Sequence, residues 1–250
     1  MNGSEDLLRR RADELARRAY GGCWTHTEFL TSAEQSLIEE CRCSLPAPFS
    51  FEGGHPASER RIAMFGSEDL CGYICEPPIE CVCISPKNAK FADRLEHRDF
   101  LGALLNLGIR REVLGDIFVR DEGAYLFCMD SIAQYIIDSL EKVKHTSVVC
   151  RMIEDAPATL EVEAERIEFN VPSERTDAVI CAIYKLSRTQ CQQLFDAQRV
   201  FVNSRMSEHP SRPLKEGDVV SVRRYGRFTY LGAQRETKKG RLYVAVERPK

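Results

Sequence analysis

Apolar and polar positions follow two periods along this chain, and the switch between them divides it. Residues 5–20 place Leu7, Leu8, Ala12, Leu15, Ala16 and Ala19 among charges at helical spacing, which predicts an amphipathic helix. Thr31-Ser32-Ala33-Glu34 is a capping box, with Thr31 as cap and Glu34 reaching back, and it opens a helix from Ala33 to about Cys41. Pro46, Pro48 and Gly53-Gly54 mark a loop. Residues 60–66 and 70–75 read as short strands, and Glu76-Pro77-Pro78 closes this first unit.

Residues 79–154 have a regular rhythm. Ile79 to Ile84 alternates as a strand, and Leu95 to Leu107 has the helical period, closed by Gly108. Gly115 to Arg120 and Ala124 to Met129 form a hairpin around Asp121-Glu122-Gly123. Ser131 is the expected cap of a helix from Ile132 to Lys144, and Thr146 to Ile153 is the last strand. That order, β-α-β-β-α-β, predicts a ferredoxin-like or RNA-recognition-motif topology. Such a motif stacks bases on aromatics of its central strands, here Phe118, Tyr125 and Phe127. Gly115-Asp116-Ile117-Phe118-Val119 does not spell the usual signature, so these rings are expected to pack under the helices instead.

Residues 155–172 alternate charge with apolarity and reach Val171-Pro172, a short strand and then a linker. From residue 173 on, two short helices precede a tight strand, a Pro-rich connection and a second strand opened by Gly217-Asp218. Ser187 and Gln190 form another capping box, and Cys191, Leu194 and Phe195 make a buried stripe. Arg188 then projects beside the free N–H groups of a helix start, which favour phosphate. Lys185 precedes it, Arg199 follows the helix, and with Arg175 they can line one ridge.

These positions resemble an S4-type RNA-binding domain. The match runs through Arg175, Asp177, Leu186-Ser187-Arg188, Leu194, Val200, Val202, Asn203, Pro210-Ser211, Leu214 and Gly217-Asp218. The resemblance implies structured RNA as ligand, held by Arg175, Lys185, Ser187, Arg188, Gln192, Arg199, Asn203, Arg223 and Arg227. Three positions depart from the pattern. Thr176 stands where Leu is usual, and Gln198 and Ser204 replace glycines, which predicts a different local backbone at those turns.

Charge changes the picture. Residues 173–250 hold 16 Lys and Arg against 8 Asp and Glu, a net +8, whereas the remainder carries −11. The overall −3 therefore hides a basic C-terminal segment on an acidic body, the footprint expected of a phosphate ligand. No stretch approaches the apolar length of a membrane span, and the charged start has no leader-like core. The reading is a cytoplasmic protein away from the membrane.

Eleven cysteines, an odd number with no leader, argue against a disulfide scaffold. Cys71, Cys75, Cys81 and Cys83 are the one set with metal-like spacing. Cys81 and Cys83 alternate with Val82 and Ile84, however, and read as small apolar strand residues, so no metal or other cofactor is expected. His97-Arg98-Asp99 looks like a kinase catalytic loop but lacks the Gly-rich loop before it and the Asp-Phe-Gly after it. No nucleophile elbow, P-loop or dinucleotide fingerprint occurs. Arg60 and Arg61 beside a flexible Gly-Gly loop, and His97 and Arg98 at a helix start, remain as secondary contacts to RNA or a partner.

Three further segments extend the resemblance over nearly the whole chain. They are Phe29-Leu30-Thr31 through Gln35, Gly53-Gly54-His55-Pro56 through Arg60, and His97 through Leu104 with Gly108-Ile109 and Gly115-Asp116-Ile117. With Lys185-Leu186-Ser187-Arg188 and Gly226-Arg227-Phe228, the chain resembles the YlmH family. The resemblance implies a non-enzymatic, monomeric α+β factor. It would bind rRNA of the large ribosomal subunit and tRNA or peptidyl-tRNA in ribosome-associated quality control, alongside a nascent-chain tailing factor. Its parts would be an N-terminal mixed domain at 1–78, an RNA-recognition-like domain at 79–155, a strand and linker at 156–172 and the S4-type domain at 173–250. The rivals are an RNA-modifying enzyme of the pseudouridine synthase type and a cell-division-linked adaptor. Such synthases place this domain before a large catalytic one, and here only residues 224–250 follow it.

Overall fold

The computed structural model describes residues 3–88, 93–154, 157, 160, 164–203, 205–236 and 240–249. The chain is α+β and divides into two compact units, Met1–Glu161 and Val162–Lys250.

The first unit begins with α1 (Gly3–Tyr20), β1 (Thr25–His26), α2 (Ser32–Glu40), β2 (Phe49–Glu52), β3 (Ile62–Phe65) and α3 (Glu68–Cys71). Ala12, Leu15, Ala16 and Ala19 form the buried stripe of α1 and pack with Ile38, Phe49 and Phe65. The antiparallel sheet β1-β3-β2 completes this core. The Thr31 capping box forms as expected, with both reciprocal bonds present. Two expectations are corrected. Phe49–Glu52, placed in a loop by its flanking Pro and Gly, is a strand paired with β3. Residues 70–75 are not a strand: Ser67 caps α3 by accepting from the Leu70 N–H, and Gly72 ends it at φ +80°. A cap and a left-handed glycine with four residues between them leave room for one helical turn only.

The unit continues with β4 (Ile79–Pro86), α4 (His97–Asn106), β5 (Leu114–Arg120), β6 (Gly123–Met129), α5 (Asp130–Ser139), β7 (Lys142–Val143) and β8 (Thr146–Ile153). The strands form an antiparallel sheet in the order β5-β6-β4-β8-β7. Helices α4 and α5 cover one face through Phe100, Leu104, Ala133 and Ile136, packed on Val82, Ile84, Leu126 and Cys128. Helix α5 starts and ends earlier than expected. Met129 is its N-cap, with no side-chain cap from Ser131, and the Asp130 carboxylate accepts from the Ser131 N–H at 2.5 Å. It stops at Ser139 because the buried Leu140 and Val143 draw the chain into the short hairpin of β7, whose turn residue Lys144 has φ +53°.

The position of the aromatics is also corrected. Phe118 and Phe127 are buried, but on the sheet face opposite the helices, with Cys81 and Leu160. Strand parity explains it: even-numbered residues of β4 and β6 point to the helices, so Cys81, Tyr125 and Phe127 point away.

The second unit comprises β9 (Ala164–Val171), α6 (Thr176–Tyr184), α7 (Arg188–Asp196), β10 (Val200–Val202), β11 (Arg205–Met206), β12 (Val219–Val222), β13 (Gly226–Glu236) and β14 (Leu242–Pro249). Its antiparallel sheet runs β11-β10-β12-β13-β14-β9. Within the stretch read as strand plus linker, Ala164–Val171 is strand: it pairs along the whole of β14, and Ile167, Phe169 and Val171 join the core under α6 and α7. The turn expected near Lys238-Lys239-Gly240 joins β13 to β14, and its two lysines lie outside the described residues.

Candidate nucleic-acid interface

The elbow between α6 and α7 is built by three local devices. Lys185 ends α6 in the left-handed conformation, φ +53°, and its N–H donates to the Cys181 carbonyl. Leu186 packs partly into the core. Ser187 then caps α7: its hydroxyl oxygen accepts from the Gln190 N–H at 3.2 Å, and the Gln190 side chain accepts from the Ser187 N–H at 2.9 Å. Cys191, Leu194 and Phe195 bury the inner face of α7 as expected, leaving Arg188 and Gln192 exposed one turn apart. Lys185 and Arg188 are exposed and make no ion pair among the described residues. Their charges are available to a ligand.

A second basic group gathers at the β12–β13 turn. The Arg223 N–H donates to the Arg199 carbonyl at 2.9 Å, which sets the two arginines side by side. The Arg223 guanidinium lies over the Phe201 ring, 4.8 Å from its centre. Phe201 pairs with Ser221, and Ser221 with Arg227, so Arg227 continues the same row on the face away from the helices. Burial holds the Arg227 guanidinium below its usual pKa, though an arginine stays charged there. Tyr225 of this turn meets Tyr184 at the end of α6, 5.4 Å between ring centres, so the turn sits against the elbow that carries Lys185. Five of the expected residues, Lys185, Arg188, Arg199, Arg223 and Arg227, thus lie on neighbouring segments of one unit.

The other four are occupied locally. Arg175 is the N-cap residue of α6, and its guanidinium forks onto Asp177 at 2.7 and 3.0 Å, which raises its pKa. The Ser187 hydroxyl is held by its cap, and the Gln192 amide donates to Asp196 at 2.9 Å. Asn203 is a turn keystone. At φ +51° its side chain donates to Asp218 at 2.7 Å and accepts from the Val219 N–H at 2.9 Å.

Two departures from the S4-type pattern now have a physical account. Thr176 is fully buried, and both its N–H and its hydroxyl donate to the Arg212 carbonyl, at 2.9 and 2.8 Å. It pins the Pro-rich connection by hydrogen bonds where leucine would do so by packing. The backbone at Gln198 is not remodelled, contrary to expectation: φ is +55°, the left-handed conformation a glycine would adopt. Ser204 lies outside the described residues.

The secondary candidates serve different ends. The Arg60 side chain reaches inward, donating to the carbonyls of Leu114 at 2.9 Å, Phe29 at 3.0 Å and Arg111 at 3.2 Å. A bulge at Gly115-Asp116 in β5 aims the Asp116 carboxylate at the Glu59 and Arg60 N–H groups, 2.5 and 2.9 Å away. Arg61 is tied to the carbonyls of Ser58 and Pro56. His97 stands near Arg111 and Asp116, where desolvation and the Arg111 charge lower its pKa. Arg98 is exposed and pairs with Glu96 at 3.0 Å. Arg60 and Arg61 are therefore struts of the fold, and the geometry does not gather the four secondary candidates into one surface.

The sequence reading named Arg223 but missed Phe201, the ring on which it stacks. The signal was present: between the core residues Val200 and Val202, Phe201 has to face outward.

Two units, one of them a helix pair laid on a sheet with a basic elbow, define the class of protein. Comparison with known proteins places it. The family model described as "Putative RNA-binding domain in YlmH" matches residues 82–156. The chain is 29% identical over 228 residues to "Ribosome-associated protein quality control protein P2" of Bacillus subtilis (strain 168), covering 90% of this chain and 87% of that one. It is also similar, with TM-score 0.49 and 20% identity over 61% of this chain and 93% of the other, to the solved structure "Cell division protein ylmH from Streptococcus pneumoniae". The chain is thus similar to the YlmH family model over residues 82–156 and to this quality-control protein over most of its length.

Proposed function

We propose that this protein is a non-enzymatic, RNA-binding ribosome factor acting in quality control of stalled translation. On this reading the C-terminal unit is an S4-type domain that grips rRNA of the large subunit and tRNA or peptidyl-tRNA. The first unit then contains an RNA-recognition-like domain. A nascent-chain tailing factor is the protein partner, and the cytoplasm is the site of action. One observation carries it: two cations with no ion pair among the described residues, at a capped elbow, backed by Arg199, Arg223 and Arg227, on a segment of net charge +8. The similarity to the Bacillus subtilis quality-control protein over 90% of the chain supports the pathway.

Electrostatic grip implies salt dependence. With about four phosphates neutralised and a slope of roughly 0.7–0.9 per contact, affinity falls about 50- to 150-fold between 50 and 200 mM salt. The direct test is the double variant Lys185→Glu, Arg188→Glu, which removes two attractive contacts and adds two repulsive ones. Neither residue belongs to the apolar stripe, so stability changes by only about 0.5 kcal/mol each. The variant is expected to melt like the parent and to stop co-sedimenting with large subunits. Undiminished co-sedimentation at physiological salt would move the RNA site elsewhere. An RNA-modifying activity would show as altered nucleosides in isotope-labelled RNA incubated with the protein, and none is expected.

A further inference from the structure

The two helices of the C-terminal unit each carry one cysteine where they meet, Cys181 on α6 and Cys191 on α7. Two contacts fix how they face each other. The Cys191 thiol donates to the Asp177 carbonyl at 3.6 Å, and the Cys181 thiol donates to the Ser187 carbonyl at 3.8 Å. Asp177 lies one helical turn before Cys181, so its carbonyl is the helical partner of the Cys181 N–H. Ser187 lies one turn before Cys191, and its carbonyl accepts from the Cys191 N–H at 3.0 Å. Each thiol thus ends at the backbone bond of the other cysteine, and the two sulfurs lie within hydrogen-bonding reach of one another. Cys81 and Cys128 of the first unit differ in this respect: they lie on opposite faces of their sheet.

Their surroundings divide the roles. Cys191 is 1% exposed, whereas Cys181 is partly open to solvent. Burial, with Cys181 beside it, pushes the Cys191 thiol up to about 12. A reagent from solution therefore meets Cys181 first.

Cys181 is also the residue on which the elbow hangs. Its carbonyl accepts from the Lys185 N–H and, at 3.0 Å, from the Leu186 N–H. Its thiol reaches Ser187, the cap of α7. Residues 182–190, between the two cysteines, contain Lys185 and Arg188.

We propose that Cys181 and Cys191 are a site of reversible oxidation, at which a peroxide closes a disulfide that bolts α6 to α7 and locks the basic elbow. The Cys181 thiolate attacks one peroxide oxygen, the O–O bond breaks, and hydroxide leaves as water with the proton that the thiol gave up. Sulfur is oxidised to the sulfenic acid and the peroxide is reduced. Cys191 then attacks the Cys181 sulfur. The S–O bond breaks, and the Cys191 proton joins the departing hydroxide as a second water. Two thiols and one peroxide give one disulfide and two waters. A dithiol reverses the bond by exchange, as suits a compartment where disulfides are transient. The Ser187–Gln190 cap and the Lys185 turn use no sulfur, so both persist in the oxidised form. The short closed loop removes freedom from the opened chain, which is why the bond locks the elbow.

The test does not depend on what the elbow binds. Dilute full chain is treated with hydrogen peroxide, its free thiols are alkylated, and it is digested with trypsin without reduction. Cleavage after Arg175, Lys185, Arg188 and Arg199 puts Cys181 in peptide 176–185 and Cys191 in peptide 189–199, each without another cysteine. The two peptides are expected as one joined species that dithiothreitol separates. Amide hydrogen exchange over residues 182–190 is expected to slow about 10- to 100-fold in oxidised against reduced protein. Cys181→Ser, whose hydroxyl can still donate to the Ser187 carbonyl, is expected to show neither effect. Cys191→Ala leaves the Cys181 sulfenic acid without its partner, so dimedone is expected to trap it in that variant and not in the parent. Peptides that stay separate while Cys23 and Cys43 are oxidised overturn the site, as does either cysteine joined to a third one. A joined pair with unchanged exchange at the elbow overturns the lock, and so does slowed exchange in oxidised Cys181→Ser.

Discussion

Arg60→Ala should unfold the first unit well before it touches RNA binding, and the structure sets the size of the effect. Arg60 lies on the segment leading into β3, yet its guanidinium satisfies the carbonyls of Phe29, Arg111 and Leu114. It thereby ties the N-terminal sheet to β5. Hydrogen bonds to a charged group contribute about 1.5–3 kcal/mol each when desolvated. The site is half-buried, so water can replace part of that, and about 3 kcal/mol is a fair net loss for three bonds. Asp116 also loses a neighbouring cation, which adds to the cost. For a unit of this size, a loss of that order lowers the melting temperature by about 6–12 °C. The one tryptophan, Trp24, lies in this unit and donates to the Tyr73 carbonyl, so its fluorescence reads the transition directly. Arg60→Lys should recover little, because an ammonium cannot span three carbonyls set for a planar fork. Arg98→Ala, at an exposed pair, should shift the melt by less than about 2 °C. If Arg60→Ala melted with the parent and lost RNA binding instead, the residue would be a ligand contact and the strut argument would be wrong.

Three further outcomes follow from the same geometry. Burial raises the Asp116 pKa above its ordinary 3.8, so the folded state binds its proton more tightly than the unfolded chain. Stability from this group therefore grows as pH falls through the raised pKa and is lost as pH rises through it; a urea titration of parent against Asp116→Asn that showed the reverse slope would contradict the desolvation argument. Gln198→Gly should stabilise the C-terminal unit by about 0.5–1 kcal/mol, the left-handed penalty relieved less the extra freedom of glycine in the unfolded chain; a loss of stability on chemical denaturation would show that the Gln198 side chain matters. At pH 8, Cys23 and Cys43 should react first with a thiol reagent. Burial pushes the Cys81, Cys128 and Cys191 thiols up to about 12 and Cys150 up to about 11, so those four should label only after unfolding. Rapid labelling of Cys81 in folded protein would reopen its part in a metal site.

Local signals in the sequence carried most of the elements because they are local physics. The Thr31–Glu34 and Ser187–Gln190 boxes form as the spacing predicts, and the alternation of Val200, Phe201 and Val202 places each side chain on its proper face. Ser131 is not the cap because the chain enters α5 straight from β6, so that Met129, the last strand residue, is the N-cap and offers no side-chain acceptor. What stayed hidden was long-range. Nothing near Arg60 announces that its partners are the carbonyls of Phe29, Arg111 and Leu114, so an arginine beside a Gly-Gly loop read as a phosphate contact. Nothing in the alternation of β6 says that another part of the chain will seal half of the sheet.

That seal bears on how the family's RNA-binding segment is to be understood. The matched model begins at residue 82, after the Gly53–Ser58 loop that closes over Phe118 and Phe127. A fragment cut at that boundary would expose two rings that the full chain buries, along with the cleft that Gly54 fills. RNA bound by such a fragment through Phe127 would report the cut, because buried aromatic surface is sticky for bases and proteins alike. Among the described residues, the Tyr125 and Arg151 end of this face is the accessible one, and cations rather than aromatic area distinguish it. Comparing fragment and full chain on the same oligonucleotide therefore separates the two origins. Salt-sensitive binding that depends on Arg151 belongs to the intact protein, and salt-insensitive binding that depends on Phe127 belongs to the exposed core.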